Sequence, residues 1–552
     1  MRWMSCVAAA ALLATGLLAS APRAQAMPAD FLDCDGDSAP KALAPEKAAA
    51  RGYLGSGERG TSKLVPVLGE LGLKACDAAL ADPSLLPGYW LRRATLLRAR
   101  ASDLIELKRY DEALETLAQS DAAAPVQSAV LFADSVSLGN LVLRGIALGR
   151  LGRTAEAAQA FEKAAALRPY SPSLARLVRS SQLFVETDRA RRLALTGAAG
   201  RLEPRFFGAQ FWLALSQGRF ADVDALYGQL SFDIPRRHSG WTGSSDVELE
   251  NSLLDRRGEA AGAVAYARTA LDRADAMARV ADLRAEIAEM RAPLPANAVD
   301  GLRKRHAADL AAADRMEAAL QPWLRAIELR AKVKGKTIDV ALPLMKAADI
   351  KGMPIISDLL RQLAAQDAVG RAQIDAAIRD FDHIFAKASD EILTPDFKDI
   401  VRLLPRPEFL STRPVIKAER STFGVIMFGE DNNGYKVQAD QESGIVDLRF
   451  GSEIATGPMV EEATLLVAAN YARGHGADGL VLTSTQLVSR TTHVTSYYVG
   501  SYDVNAGYEL RLTMRLVDSK HLPADLVGNE WRVIGVEDLI SKLGPVYTKP
   551  KR

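Results

Sequence analysis

The sequence predicts a mainly α protein: a helical solenoid, then a helical extension, then a small C-terminal α+β domain. Three observations predict it. From Leu138 to Ser171, the residues Gly145, Leu148, Gly152, Ala157, Phe161, Ala164 and Pro169 fall in the order of a helix–turn–helix unit. From Ser62 to about Arg291, apolar residues recur at spacings of three and four, the period of a half-buried helix. After Leu403-Leu404-Pro405-Arg406-Pro407 and Pro414 break the helices, stretches rich in Thr, Tyr and Val take over, as strands require.

The 138–171 unit has a physical logic. Small residues stand where two helices must touch, Gly152 marks the turn, Phe161 fills the gap and Pro169 ends the second helix. Neighbouring segments repeat the pattern imperfectly. In 94–127, Ala101, Leu104, Ala113, Leu117 and Pro125 keep the spacing, with Lys108 in place of the turn glycine. In 204–237, Gly218, Tyr227 and Pro235 keep it, with Phe211 in a slot where a small residue is usual. Ala75, Ala78 and Pro83 read as the closing helix of an earlier unit, and Trp241 to Ala276 as a further degenerate one. The spacing resembles the tetratricopeptide repeat, a 34-residue helix–turn–helix unit. The resemblance covers about 62–291 and implies a stacked array with a concave binding face. The plainer reading of the same residues is a generic helical domain.

In such an array the first helix of each unit lines the concave side. The register assigns Arg98, Ser102 and Glu106, then Val142, Ile146 and Arg150, then Trp212 to that groove. The mixture differs from the Lys/Asn clamp of repeats that grip a terminal carboxylate, and it suits an amphipathic peptide or helix. Alternatively, the chain's own later helices, near 300–390, fill the groove.

The N-terminus reads as a secretory signal. Arg2 supplies the charged region and Val7 to Leu18 the apolar core, which is too short to span a bilayer. Ala24-Gln25-Ala26 is an A-x-A site, so cleavage after Ala26 is expected, with an exported, periplasmic mature chain and no transmembrane segment. Loss of Arg2 and Arg23 takes the formal net charge of the 552-residue chain from +1 to −1. A near-neutral balance gives no electrostatic reason to expect nucleic acid. Of three cysteines, Cys6 leaves with the signal, and Cys34 and Cys76 form an even pair suited to one disulfide in an oxidising compartment. A redox pair is the alternative, without C-x-x-C spacing to support it.

The remaining boundaries follow composition. Residues 27–61 form an irregular leader, 292–402 a helical extension that loses the repeat period, 403–414 a linker, 415–545 the α+β module and 546–552 a basic tail. Within the module, Phe423 to Phe428, Tyr435 to Ala439, Ile445 to Phe450, Leu480 to Leu482, Val488 to Tyr498 and Tyr508 to Leu516 read as strands. Val460 to Arg473 and Val536 to Leu543 read as helices. Gly434-Tyr435, Leu448-Arg449-Phe450-Gly451, Val460-Glu461-Glu462-Ala463, Ala468-Ala469 and Gly476-Ala477-Asp478-Gly479 together resemble a family of small bacterial envelope lipoproteins of unknown function. The resemblance implies an envelope location and no activity. The chain departs from it by lacking the lipobox cysteine, by having Phe450 and Gly451 adjacent, and by having Gly479 where an aromatic is common.

Chemistry-bearing patterns are sparse. Gly55-Ser56-Gly57-Glu58-Arg59-Gly60 matches G-x-G-x-x-G, but a helical segment precedes it where a dinucleotide site needs a strand. Asp33, Asp35 and Asp37 alternate as calcium ligands do, but Ser38 and Ala44 stand where an EF-hand loop needs Gly and Glu, so solvated carboxylates in a turn are expected. The six histidines are scattered, His383 beside Asp380 included, and no G-x-S-x-G exists. No cofactor, metal or catalytic residue is expected. Tyr497, Tyr498 and Tyr502 near Gly500 suit either recognition or capping of a sheet. The functional expectation is a scaffold or recognition protein for another envelope protein or peptide. The alternatives are a cell-envelope hydrolase and a small-ligand or glycan binder acting through the C-terminal module.

Overall fold

In a computed structural model of the chain, the residues described are 28–37, 39–40, 66–126, 129–188, 191–192, 194–195, 200–216, 218–227, 257–269, 273–347, 355–364, 374–375, 378–379, 395–407, 413–414, 416, 425–426, 429–430, 434–440, 444–496, 500–523, 526–527 and 529–548. The signal segment, Gly55–Gly60, Trp241, Asp380, His383, Tyr497, Tyr498 and the end of the basic tail lie outside them. The protein is mainly helical with a small C-terminal antiparallel sheet, as expected.

The helices of the first part are α1 (Pro28–Asp35), α2 (Glu70–Ala81), α3 (Trp90–Glu106), α4 (Tyr110–Ala122), α5 (Leu138–Arg150), α6 (Thr154–Leu167), α7 (Pro172–Val185), α8 (Arg205–Ser216) and α9 (Phe220–Tyr227). Residues ahead of Leu138 lengthen the helical run: Ala129–Phe132 is helical and passes through a π turn, Ala133–Ser137, into α5. Three hairpins, α3–α4, α5–α6 and α8–α9, turn the same corner. The residues at the turn, Lys108, Gly152 and Gly218, all have left-handed φ, at 61°, 77° and 66°. Each donates its N–H to the carbonyl three residues back, and the arginine after it reaches back five: Arg109 to Leu104, Arg153 to Leu148, Arg219 to Ala214. These bonds close the carbonyls that a helix end leaves open. Each arginine then pairs with an acid three residues on, Glu112, Glu156 or Asp222.

Helix contact inside a hairpin is set by one pair of positions sixteen residues apart. In the second hairpin a Cβ on Gly145 would lie 2.6 Å from the Phe161 ring, so only glycine lets the aromatic seat there. In the first, Ala101 and Leu117 are both fully buried. In the third, Phe211 replaces the small residue and meets Tyr227 with ring centroids 6.4 Å apart. The hairpins stack, α3 on α5 and α5 on α7, into a first core from Leu73 to Val178.

After α9 come a helix over 257–269, taken as α10, and α11 (Arg273–Met290), and then, in the extension, α12 (Asp300–Val333), α13 (Ile338–Ala347), α14 (Ile355–Ala364) and α15 (Phe397–Arg402). The boundary expected at 291 does not separate two cores. A second core runs from Phe211 through Tyr266, Leu283 and Trp323 to Leu363. Glycines make this packing close: a Cβ on Gly262 would lie 2.5 Å from Trp323, so α10 lies directly on α12.

The C-terminal sheet contains β1 (Gly434–Asp440), β2 (Ile445–Ser452), β3 (Gly479–Ser496), β4 (Gly500–Val517) and β5 (Ile534–Gly535), in the order β1-β2-β4-β3-β5 with every pair antiparallel. The short strand expected at 480–482 and the strand expected from 488 are one strand, because bulges at Leu482/Ser484 and Arg490/Thr491 absorb the break in alternation. Leu448 faces Leu512, and Leu482 faces Met514, and their buried side chains pack under α16 (Gly457–Gly474). Helix α17 (Val536–Tyr547) packs on α16 and closes this third core.

Candidate functional site

The residues assigned to the concave groove fall into two groups. Val142 and Ile146 are fully buried, Ser102 is 1% exposed and Arg98 8% exposed. Ser102 donates to the Arg98 carbonyl (3.3 Å), and the Arg98 side chain lies over Gly139, where a Cβ would be 2.9 Å away. These four positions offer no surface to a partner, which corrects the groove assignment. The physical reason is that α5 is buried on nearly every side, from Leu138 and Gly139 through Val142, Leu143 and Ile146 to Leu148. The same core takes in Phe397, Ile400 and Val401 of α15, with Leu403 and Leu404 packed against it. Phe397 reaches Phe184 on α7 with centroids 5.6 Å apart. Residues 397–404, later in the chain than 300–390, pack on α7 at the edge of this core.

The second group stays accessible. Glu106 is exposed at the end of α3 and Arg150 at the end of α5. Arg150 is held in place: its guanidinium lies 4.1 Å from the Phe184 ring centroid and donates to the Phe184 carbonyl at 2.8 Å. Trp212 is half-buried against the second core and meets Phe211 edge-on at 5.1 Å. Of the tyrosines, Tyr502 lies in β4 opposite Val494 of β3.

Cys34 and Cys76 form the expected disulfide, tying α1 to α2 across a separation of 42 residues. Both are buried in a small core with Phe31, Tyr89 and Leu96. The neighbouring Asp103 is buried, accepts from the Gly69 N–H (3.1 Å) and has its carboxyl pushed up to about 8, chiefly by burial. The aspartates ahead of it do not form solvated turn carboxylates. Asp35 is buried and ion-pairs with the fully buried Arg92, which also donates to the Asp37 carbonyl at 3.0 Å. That bridge fixes α1 on α3 and leaves no open oxygen cage.

Among the described residues no group of three His, Cys, Asp or Glu is placed to hold a metal ion, and no helix is long and apolar enough to cross a membrane. A shallow cleft of about 570 Å³ lies between α11 and α12, lined by Arg284, Ile287, Ala288, Arg291 and Glu317. Arg291 already pairs there with Asp314 and Glu317. Its walls bring no acid, base and nucleophile together.

The most elaborate polar arrangement is one the sequence reading did not anticipate. Two adjacent glutamates of α16, Glu461 and Glu462, meet the start of α7. Glu462 takes Arg168 on both oxygens (2.6 and 2.8 Å) and the Tyr547 hydroxyl (2.6 Å). Glu461, 1% exposed, accepts from the Ser171 hydroxyl, the Ser173 N–H (3.0 Å) and the Ser173 hydroxyl (2.8 Å). Ser171 is the N-cap of α7 and also accepts from the Leu174 N–H. Around this centre Tyr170 donates to Asp538, Arg201 to the Val533 carbonyl, and Arg532 lies over Phe207 at 4.6 Å. The signal was present in two places: Ser171-Pro172-Ser173 as a helix start, and an acidic pair inside an otherwise apolar helix.

No protein-family model matches the chain, and no curated protein and no solved structure matches it.

Proposed function

We propose that the chain is an exported, periplasmic recognition protein whose helical array, of tetratricopeptide type, binds another envelope protein or peptide and performs no chemistry of its own. The observation that carries this reading is the recurrence of one helix–turn–helix corner at Lys108, Gly152 and Gly218, with the first two hairpins stacked on each other. Stacked hairpins present one rigid extended surface, and rigid surfaces bind without a large ordering cost. The A-x-A site ending at Ala26 and the disulfide between Cys34 and Cys76 support export to an oxidising compartment. Glu106 and Arg150, at the ends of successive first helices, are the most exposed members of the groove set, and this reading assigns them to contact with a partner.

The test is affinity retention from an envelope extract on the immobilised mature chain. One specific protein is expected to be retained, and the double variant Glu106→Arg, Arg150→Glu is expected to weaken its binding at least tenfold, the scale of a modest interface hot spot of about 1.4 kcal/mol. Retention unchanged in the variant, together with turnover of a cell-wall or ester substrate by the chain, would overturn the reading in favour of an enzyme.

A further inference from the structure

The C-terminal module caps a helix of the repeat array with a carboxylate that meets no cation among the described residues. Helix α7 begins at Pro172, and the Ser173 N–H in its first turn donates to Glu461 of α16, at the positive end of the helix. Among the described residues, every polar contact of the Glu461 carboxylate is with Ser171 or Ser173. Charged groups stand on each element packed around it; on α7 itself these are Arg176 and Arg179, the latter held below the ordinary arginine range by burial. On α16 itself, Glu462 is neutralised by Arg168 from the end of α6. On the segment before α8, Glu203 is 3% exposed and repels Glu461, while Arg201 is turned to the Val533 carbonyl. On α17, Asp538 takes the Tyr170 hydroxyl and Lys542 lies over the Tyr170 ring at 5.7 Å. One acid of the pair is therefore matched by a cation, and the other is held by neutral donors and a helix end.

We propose that this contact is a proton-gated latch, in which Glu461 docks the α+β module on the repeat array in its neutral form and loosens the docking as it ionises. The inference stands whatever the array binds. Burial, with Glu203 adding repulsion, raises the Glu461 carboxyl to about 7, against the hydrogen bonds from Ser171 and Ser173 that favour the anion. Undocked, the same side chain meets water and returns to its ordinary value near 4.5. The sign follows. The docked state holds the proton more tightly, so docking is strongest below about 4.5 and weakens up to about tenfold per pH unit until about 7. Above that pH it is constant, sustained by the α7 dipole and the Arg168–Glu462 bridge.

The test is hydrogen–deuterium exchange of the full mature chain at pH 5 and pH 8, corrected for intrinsic rates, read at the amides of 171–175 and 457–474. Protection in the wild type is expected to fall at least tenfold between the two pH values. Glu461→Gln keeps the shape and the acceptor oxygen and removes the titration, so its protection should be the same at both. Glu203→Gln removes the repulsion and should move the wild-type midpoint to lower pH. A wild type without pH dependence overturns the latch. So does a pH dependence of unchanged size in Glu461→Gln, or, if that variant does not fold, a midpoint that Glu203→Gln leaves in place.

Discussion

At the scale of single residues, backbone geometry is what the repeat demands. The corner between the helices of each hairpin needs a left-handed residue. Gly152 and Gly218 supply it freely, while Lys108 holds φ at 61° in the first hairpin. A left-handed conformation costs a residue with a Cβ about 1–2 kcal/mol, and glycine's extra freedom in the unfolded chain returns about 0.5–1 kcal/mol of that. Lys108→Gly is therefore expected to raise stability by about 0.5–1 kcal/mol, read as a higher denaturant midpoint at unchanged slope. A lower midpoint would mean that the lysine side chain contributes more than its backbone costs. These positions were legible because a turn glycine and a glycine under an aromatic leave marks in a sequence. Val142, Ile146, Ser102 and Arg98 are buried where the repeat pattern points to a groove. A concave position and a core position on a first helix both read as apolar or small, and only the packing of neighbouring helices separates them. Asp35 was likewise read as solvated, because its partner Arg92 lies 57 residues away and on another helix.

At the scale of elements, what the sequence lacked was the identity of long-range partners. The hairpins of the first part and the presence of most strands were visible from period and turn residues, whereas the pairing of the first strands was not: 434–440 pairs with 445–452. The merging of 480–482 with the following strand was not, since a bulge resets the alternation that marks a strand. Nor was the seating of α10 on α12, which depends on Gly258 and Gly262 meeting Met316 and Trp323. The disulfide is the element-scale feature most open to measurement. It joins α1 to α2 over 42 residues, and the chain-entropy model gives such a loop about 4 kcal/mol. The mature chain should show no free thiol under denaturing conditions, and reduction should lower its thermal midpoint. Two free thiols would contradict the bridge, and one would indicate that Cys6 is still present.

At the scale of the whole molecule, late segments of the chain tie the first core to the N-terminal helices and to the C-terminal module. Residues 397–404 complete the core of the first hairpins. Beyond them Arg406 lies 3.7 Å from Asp37, Arg413 pairs with Asp134, and the Ile416 N–H reaches the Tyr547 carbonyl at 2.9 Å. The α+β module then docks on α7 through Glu461 and Glu462. The array is thus covered on its inner positions and open along the ends of its first helices. That arrangement places recognition at the rim, around Glu106 and Arg150. The most direct test of recognition is site-specific photo-crosslinking in living cells. A photoreactive residue is placed at 106 or at 150, with exposed position 156 on α6 as the control. The account predicts the same single protein adduct at 106 and 150 and none at 156. No adduct at the two rim positions, or adducts of equal yield at all three, would contradict it.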